Sequence, residues 1–209
     1  MVRIDAADLA AWIVERASGV ERYLFGIAGP PGCGKSTLAG ELGNELGAPV
    51  VPMDGFHLPN ATLAARGHLD IKGAPETFAA DEFVELMLAL RKPAAVVHCP
   101  TFDRTSDEPV PDQLRVVPAD AIVIVEGNYL LLDEQPWVQL ADVFDDVAYL
   151  ETPSEVRIER LIDRHVEFGC GRREALEFVH RSDEVNAQRI ESSRSRADLL
   201  VSPPVSASS

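Results

Sequence analysis

Apolar residues along the chain form either short continuous runs or stretches with helical spacing. The continuous runs predict buried strands at 23–28, 50–53, 95–98, 121–125, 147–150 and 199–201. The helical spacing predicts helices at 5–18, 36–46, 81–90, 154–168 and 172–192. Strands that alternate with helices in this way indicate an α/β fold, with a mostly parallel sheet covered by helices on both faces.

The segment 100–120 interrupts the alternation. It holds four prolines and many charges, so we expect a long excursion with one hairpin around 114–117. Excursions of this length often carry function. At the C-terminus, residues 203–209 predict a frayed Ser/Pro tail. The length fits a single domain over 1–209, with an N-terminal helix within 1–20 and lid and C-terminal helices within 154–192.

The charge balance narrows the range of partners. The 19 basic and 34 acidic side chains give a formal net charge of −15, which should repel nucleic acid and anionic membranes. The longest strongly apolar stretch, 121–125, is too short to cross a bilayer, and Arg3, Asp5 and Asp8 lie where a signal peptide would become apolar. We therefore expect a small-molecule partner and no membrane anchor.

Cysteine usage favours a reducing compartment. The chain has three cysteines, an odd number without the spacing of metal ligands. That count argues against a disulfide framework or a zinc site, so a cytoplasmic location is expected.

A glycine-rich motif, GPPGCGKST, occupies Gly29–Thr37 between a predicted strand and a predicted helix. It fits the G-x-x-x-x-G-K-[ST] pattern, in which glycines let backbone N–H groups point at one anion and the next helix adds its positive end. Lys35 is expected to reach the β- and γ-phosphates, and Ser36 to offer its hydroxyl to Mg²⁺. The predicted nucleotide contacts are Gly29, Gly32, Cys33, Gly34, Lys35, Ser36 and Thr37.

Two carboxylates follow predicted strands and should meet at one edge of the sheet. Asp54 comes after the strand at 50–53, where it could take the proton of an attacking substrate hydroxyl. An ordinary Asp-Gly turn is the alternative. Glu126 follows the strand at 121–125 and could hold Mg²⁺ or its water, or else bond only local backbone.

The chain resembles the uridine kinase, phosphoribulokinase and bacterial pantothenate kinase family from Phe25 to about Val201. Beyond the glycine-rich loop, the resemblance lies in MDGFHLPN at 53–60, KGAPETF at 72–78, PTFDR at 100–104 and VEGNYLLLD at 125–133. The branch described as fructose-transport-system or nucleoside/nucleotide kinases looks most similar. The resemblance implies a P-loop NTPase three-layer sandwich with a helical lid, a kinase that uses ATP and Mg²⁺, and assembly as a homodimer or larger oligomer.

The same resemblance implies roles for individual residues. Asp54 matches the catalytic base, and Glu126 a residue of the magnesium site. Phe102, Asp103 and Arg104 match a segment that lines the acceptor pocket; a proline-initiated loop with a local ion pair is the alternative. The remaining predicted acceptor contacts are His57, Lys72 and Asn186, where Lys72 could equally be a solvated surface lysine and Asn186 a surface or capping residue.

Arginines at 157, 160 and 164 form a narrow stripe on the helix predicted at 154–168. In the resembled family a helix here closes over ATP, so Arg160 and Arg164 are predicted to steady the transferring phosphoryl group. Arg172 and Arg173 are outer candidates. A salt-bridged surface is the alternative, because acidic residues alternate with these arginines.

Three functions remain open at this point. The first is a kinase acting on a hydroxyl of a sugar, a nucleoside or a pantothenate-like acceptor, and Arg104 favours an acceptor with a negative group. The second is an NTPase or guanine-nucleotide switch, although no lysine lies in an N-K-x-D motif. The third is a nonenzymatic nucleotide-binding domain, which would not need Asp54 and Glu126 together.

Overall fold

The fold is organised around a six-stranded sheet in which each strand is parallel to its neighbours. The computed structural model describes residues 1–202, so the predicted tail lies outside the described residues. The strands in chain order are β1 Val2–Asp5, β2 Tyr23–Ala28, β3 Val50–Pro52, β4 Val97–Asp103, β5 Glu108–Val116, β6 Ile122–Gly127, β7 Asp146–Leu150 and β8 Leu199–Ser202. Across the main sheet the order is β1-β8-β7-β2-β6-β3, while β4 and β5 pair separately.

Helices cover both faces of the sheet. They are α1 Leu9–Ala17, α2 Lys35–Leu46, α3 Asn60–Arg66, α4 Ala80–Leu90, α5 Ser154–Glu167, α6 Arg172–Phe178 and α7 Glu184–Glu191. The fully buried strand β2 presents Phe25 and Ile27 to the cluster of α1 and α2, and Leu24 to the cluster of α4 and α7, as the two-residue period of a strand requires. The predicted α/β three-layer architecture is confirmed. Over residues 1–202, none of the helices has the length and apolar character needed to traverse a bilayer.

The N-terminal region differs from the predicted single helix. Residues Val2–Asp5 form the edge strand β1, which pairs parallel with β8, and only then does α1 begin at Leu9. The strand was missed because β1 is mostly exposed and charged, so its sequence has no buried-strand pattern. The short helix α3 was also missed, since seven residues give too little periodicity.

The excursion at 100–120 is a much longer hairpin than predicted. Strand β4 contains the predicted strand at 95–98 only in part, and it pairs antiparallel with β5 outside the main sheet. The segment Pro100–Asp103, predicted as a loop, belongs to β4. The ladder shifts register between Cys99 and Thr101, which lets the strand accommodate Pro100 without the N–H that a regular ladder would need.

The carboxyl ends of the central strands bring the predicted chemistry to one edge. Pro52 of β3 lies opposite Glu126 of β6, and Ala28 of β2 lies opposite Gly127. The glycine-rich loop, Asp54 and Glu126 therefore start from three adjacent strand ends, which is where parallel α/β sheets bind ligands.

Candidate active site

The glycine-rich loop connects β2 to α2 in a conformation that depends on its glycines. Gly32 and Gly34 have φ angles of 76° and 101°, in the region that side chains disfavour. A Cβ atom at Gly32 would approach the Arg157 carbonyl oxygen to 2.7 Å, so the loop also packs directly on α5. Helix α2 begins at Lys35, and its first N–H groups face the curled loop. This arrangement suits an anion such as a triphosphate.

Lys35 is held inside the loop. Its side chain is 7% exposed, and Nζ donates to the Pro30 carbonyl at 3.1 Å. The Cys33 sulfur lies 3.8 Å from the same nitrogen, so Cys33 is a small buried neighbour of the ammonium group. A buried, positioned cation within a glycine-rich loop whose N–H groups can turn toward one anion is the chemistry that phosphate binding needs. Ser36 and Thr37 are exposed at the start of α2.

The arginine stripe of α5 divides into residues with different contacts. Arg157 is buried, and its guanidinium donates to the Pro31 carbonyl at 3.1 Å and to Glu184 at 2.8 Å. Arg160 is exposed and lies 3.4 Å from the Cys33 carbonyl, at the mouth of the loop. Sequence reasoning placed Arg157 in the stripe but did not assign it a role, because its partner Glu184 lies 27 residues away on α7.

Arg164 lies in the last turn of the same helix, four residues after Arg160. Burial lowers the pKa of its guanidinium, and the charge of Arg104 lowers it further, whereas Asp183 and Asp54 raise it. The outer candidates lie elsewhere: Arg172 pairs with Glu159 and Asp163, and Arg173 with Glu177. The salt-bridged surface predicted as the alternative therefore describes Arg172 and Arg173.

Glu126 and Ser36 face each other across the nucleotide end of the site. The Ser36 hydroxyl donates to Glu126 Oε1 at 3.0 Å, and Glu126 is 5% exposed. Burial raises the pKa of the Glu126 carboxyl to about 7, and the charge of Asp54 raises it too, while Lys35 and the Ser36 hydrogen bond lower it. Two oxygens from the chain suit Mg²⁺, whose coordination shell is usually completed by water and phosphate oxygens. No cluster of three or more His, Cys, Asp or Glu in the described part of the chain could hold a metal by itself.

Substitution of Glu126 should change how stability depends on pH. The folded pKa of about 7 exceeds the ordinary 4.5, so the folded state holds this proton more tightly. Its contribution to the free energy of unfolding therefore falls as pH rises between about 4.5 and 7. In nucleotide-free, metal-free protein, Glu126→Gln should be more stable than wild type at pH 8, by up to roughly 3 kcal/mol, and nearly equal to it at pH 5.

Urea denaturation at both pH values measures this difference in the free energy of unfolding between variant and wild type. Glu41→Gln, on the exposed side of α2, is the matched control and should show no pH-dependent difference from wild type. If the difference in free energy of unfolding between Glu126→Gln and wild type were the same at pH 5 and pH 8, the raised pKa of the buried carboxyl would be contradicted.

Asp54 lies in a 3-10 turn, Met53–Phe56, directly after β3. The hairpin packs tightly on this turn, because a Cβ atom at Gly55 would come within 2.5 Å of the Pro100 carbonyl oxygen. This contact brings Arg104, just beyond β4, to the Asp54 carboxylate, with Nη2 at 3.3 Å from Oδ2. Asp54 thus contacts Arg104 and follows the strand end, at Pro52, that lies opposite Glu126.

His57 forms one wall next to Asp54. Its Nδ1 lies 2.8 Å from the Asp54 carbonyl oxygen, which can only accept, so Nδ1 carries the proton. The ring packs against Phe78 and Phe102 with centroid distances of 4.0 and 4.9 Å. Burial lowers the pKa of His57, so a neutral imidazole with a free Nε2 acceptor is favoured. Phe102 is part of this wall, and its contact with the acceptor stays a prediction.

Lys72 connects two segments that flank this wall. Its Nζ donates to Asn60 Oδ1 at 2.7 Å and to the backbone and side-chain oxygens of Asp107 at 2.6 and 2.7 Å. Three acceptors match the three donors of an ammonium group. The Lys72 side chain is 13% exposed, so it is not a solvated surface lysine. It holds the segment 60–72 against the tip of the hairpin.

Asp103 fixes the hairpin turn, and Asn186 is buried in a helix. The Asp103 carboxylate accepts from the Thr105 N–H at 2.9 Å and the Ser106 hydroxyl at 2.7 Å, which lower its pKa and fix the hairpin turn. Asn186 is buried on α7, so it is not the surface amide that sequence reasoning allowed.

Two buried polar residues were missed by sequence reasoning. Tyr129, in VEGNYLLLD, is fully buried and donates its hydroxyl to the Gly73 carbonyl at 2.5 Å. Asp183 lies 3.3 Å from His165 Nε2 at the end of a π-helical turn, Val179–Asp183. The position of Tyr129 in a matched segment was a usable signal, whereas nothing in the sequence marks a π turn, a feature often found at functional sites.

Comparisons with known proteins agree with this geometry. Residues 24–204 match the sequence profile of the "Phosphoribulokinase / Uridine kinase family". The chain belongs to this family. The implied fold and family are thereby confirmed.

Individual similar proteins cover most of the chain. A Schizosaccharomyces pombe protein named "Putative uridine kinase" is 33% identical and covers 96% of this chain and 94% of its own length. The Escherichia coli protein YggC is 37% identical over 86% of this chain and 77% of its own length. A crystal structure from Silicibacter sp. TM1040, described as a "putative fructose transport system kinase", is 39% identical with a TM-score of 0.87, covering 94% of this chain and 98% of that one.

Membership of the phosphoribulokinase/uridine kinase family agrees with the chemistry of the nucleotide end of the site. P-loop kinases of this kind generally use ATP with Mg²⁺, and the loop, Lys35 and the Ser36 and Glu126 pair have the chemistry for both. The family does not by itself assign the acceptor, since relatives carry names with different substrates.

Proposed function

We propose that this protein is a kinase that transfers the γ-phosphoryl group of ATP to a hydroxyl of a small metabolite. The observation that carries the proposal is the placement of Asp54 and Glu126 at adjacent strand ends, with the Ser36 hydroxyl bonded to Glu126 and Lys35 inside the glycine-rich loop. A nucleotide-binding switch would need the loop and a magnesium site, but not a second carboxylate facing an acceptor.

Each residue has one task in this proposal. The backbone of Gly29–Gly34 and Lys35 bind the phosphates, and Arg160 covers them from α5. Ser36 and Glu126 would hold Mg²⁺, which, when bound, neutralises charge that develops on the phosphates. Asp54 orients the acceptor hydroxyl and accepts its proton, and Arg164 stabilises negative charge on the transferring group.

The acceptor side is built from His57, Phe78, Phe102 and Arg104. The aromatic wall supplies an apolar surface, and the free His57 Nε2 can accept a hydrogen bond from a second substrate hydroxyl. A sugar, a nucleoside or a pantothenate-like molecule meets these requirements. Relatives support this range: one is named "Putative uridine kinase", and the Limosilactobacillus reuteri pantothenate kinase is 27% identical over 75% of this chain and 55% of its own length. A cytoplasmic location and a homodimer remain predictions.

A coupled ADP-release screen tests the proposal. Purified protein with Mg²⁺ and ATP is offered sugars, nucleosides and vitamin precursors one at a time, and product is verified by mass spectrometry. We expect release that depends on one class of acceptor and exceeds the acceptor-free rate at least tenfold. ADP release at the same rate with and without every acceptor would instead support the NTPase alternative.

A further inference from the structure

Arg104 occupies an unusual position for a residue beside a catalytic base. Its Nη2 lies 3.3 Å from Asp54 Oδ2, longer than the usual 2.7–2.9 Å of a charge-assisted hydrogen bond. Its side chain is 45% exposed and that of Asp54 is 28% exposed, so water competes with the pair. A guanidinium has five N–H donors, and Asp54 is the one side-chain partner of Arg104 among residues 1–202. Arg104 is therefore weakly held and has most of its donors free.

The contact also takes up part of the Asp54 carboxylate. Oδ2 accepts from the guanidinium, which leaves fewer of the carboxylate's lone pairs open to a substrate hydroxyl. A substrate anion that accepts from the free donors of Arg104 would leave the Asp54 carboxylate open to that hydroxyl. Both considerations favour an anionic partner for Arg104 in the complex.

We propose that Arg104 selects an acceptor that carries a carboxylate or phosphate group, and that this group draws the guanidinium away from Asp54. The inference rests on the proposed function and adds the acceptor class to it. Arginine suits the task because its planar fork binds a carboxylate or phosphate through two parallel hydrogen bonds. Arg104 lies in the turn between β4 and β5 and contacts Asp54, so the negative group would bind close to the carboxylate that receives the reacting hydroxyl.

Matched acceptor pairs provide the test. Each pair differs only in the negative group: glycerate and glycerol, pantothenate and pantothenyl alcohol, ribose 5-phosphate and ribose. Both kcat/KM by ADP release and the dissociation constant by calorimetry, with a nonhydrolysable ATP analogue and Mg²⁺ present, are measured for each. The carboxylate and phosphate pairs distinguish the two sources of negative charge. Wild type should prefer the charged member of at least one pair by about 10- to 100-fold in both measurements.

Variants of Arg104 then show which residue causes the preference. Arg104→Gln should remove the preference, with the loss falling on the charged member and the neutral member unchanged or improved. Arg104→Lys should retain part of it, because the charge remains and the fork is lost. Arg115→Gln, exposed on the same hairpin, is the matched control and should behave as wild type.

The outcomes separate this inference from the kinase proposal. Equal use and equal binding of both members of every pair, or no binding of any acceptor, would overturn the role of Arg104. An equal loss on charged and neutral members in Arg104→Gln would do so too. Selective binding of the charged member without any phosphoryl transfer would instead leave Arg104 as assigned and contradict the kinase function.

Discussion

Asp54→Asn should reduce phosphoryl transfer by about 100- to 10,000-fold while nucleotide binding stays close to that of wild type. The range is that expected for the loss of a positioned general base. Asparagine has nearly the same shape and can still accept from Arg104, so the turn and the hairpin contact should remain intact. It cannot take the hydroxyl proton. The rate is measured by coupled ADP release, and nucleotide affinity by calorimetry with a nonhydrolysable ATP analogue.

Asp70→Asn is the control for this substitution, because Asp70 is exposed in the segment that follows α3. It should leave both measurements unchanged. If Asp54→Asn retained full turnover, Asp54 would be only the Asp-Gly turn that the sequence also allowed. If it lost nucleotide binding as well, its role would be in the nucleotide site or the fold.

Lys35→Ala should weaken nucleotide binding and turnover together. The ammonium group is buried within the loop and anchored at Pro30, so its removal takes away a fixed charge next to the phosphates. We expect a loss of about 10-fold or more in nucleotide affinity and about 100- to 1000-fold in kcat, similar to the loss of one preorganised donor at a developing charge. The measurements are the same two, together with a melting curve to show that the fold is intact.

Lys92→Ala is the matched control, since this lysine is exposed after α4. A fully active Lys35→Ala enzyme would contradict the phosphate-binding role of the loop. Lys35→Ala should therefore affect both nucleotide binding and phosphoryl transfer, whereas Asp54→Asn should affect phosphoryl transfer alone.

The sequence was sufficient for most of the sheet and for the nucleotide end of the site. Buried strands such as β2 and β6 are continuous apolar runs, and the glycine-rich loop has a local pattern that requires its own conformation. Parallel strands also place their carboxyl ends together, so the sequence alone predicts that Asp54 and Glu126 lie at one edge of the sheet.

Features that depend on distant partners could not be predicted in this way. The edge strand β1 is stabilised by pairing with β8, nearly two hundred residues later, and its own pattern is polar. The roles of Arg157 and Lys72 depend on partners at Glu184 and Asp107, which no local spacing reveals. The hairpin was underestimated because its prolines suggest a loop, whereas the register shift allows Pro100 within β4.

The buried side chain of Arg157 has a consequence for nucleotide exchange. One guanidinium ties the glycine-rich loop to the last helix through Pro31 and Glu184. Moving α5 away from either partner would leave a buried guanidinium or its partner unpaired, and such a loss costs about 3–5 kcal/mol. Product departure should therefore proceed by shifts of the distal part of the lid, near Arg164 and α6, around a hinge that leaves the Arg157 anchor in place.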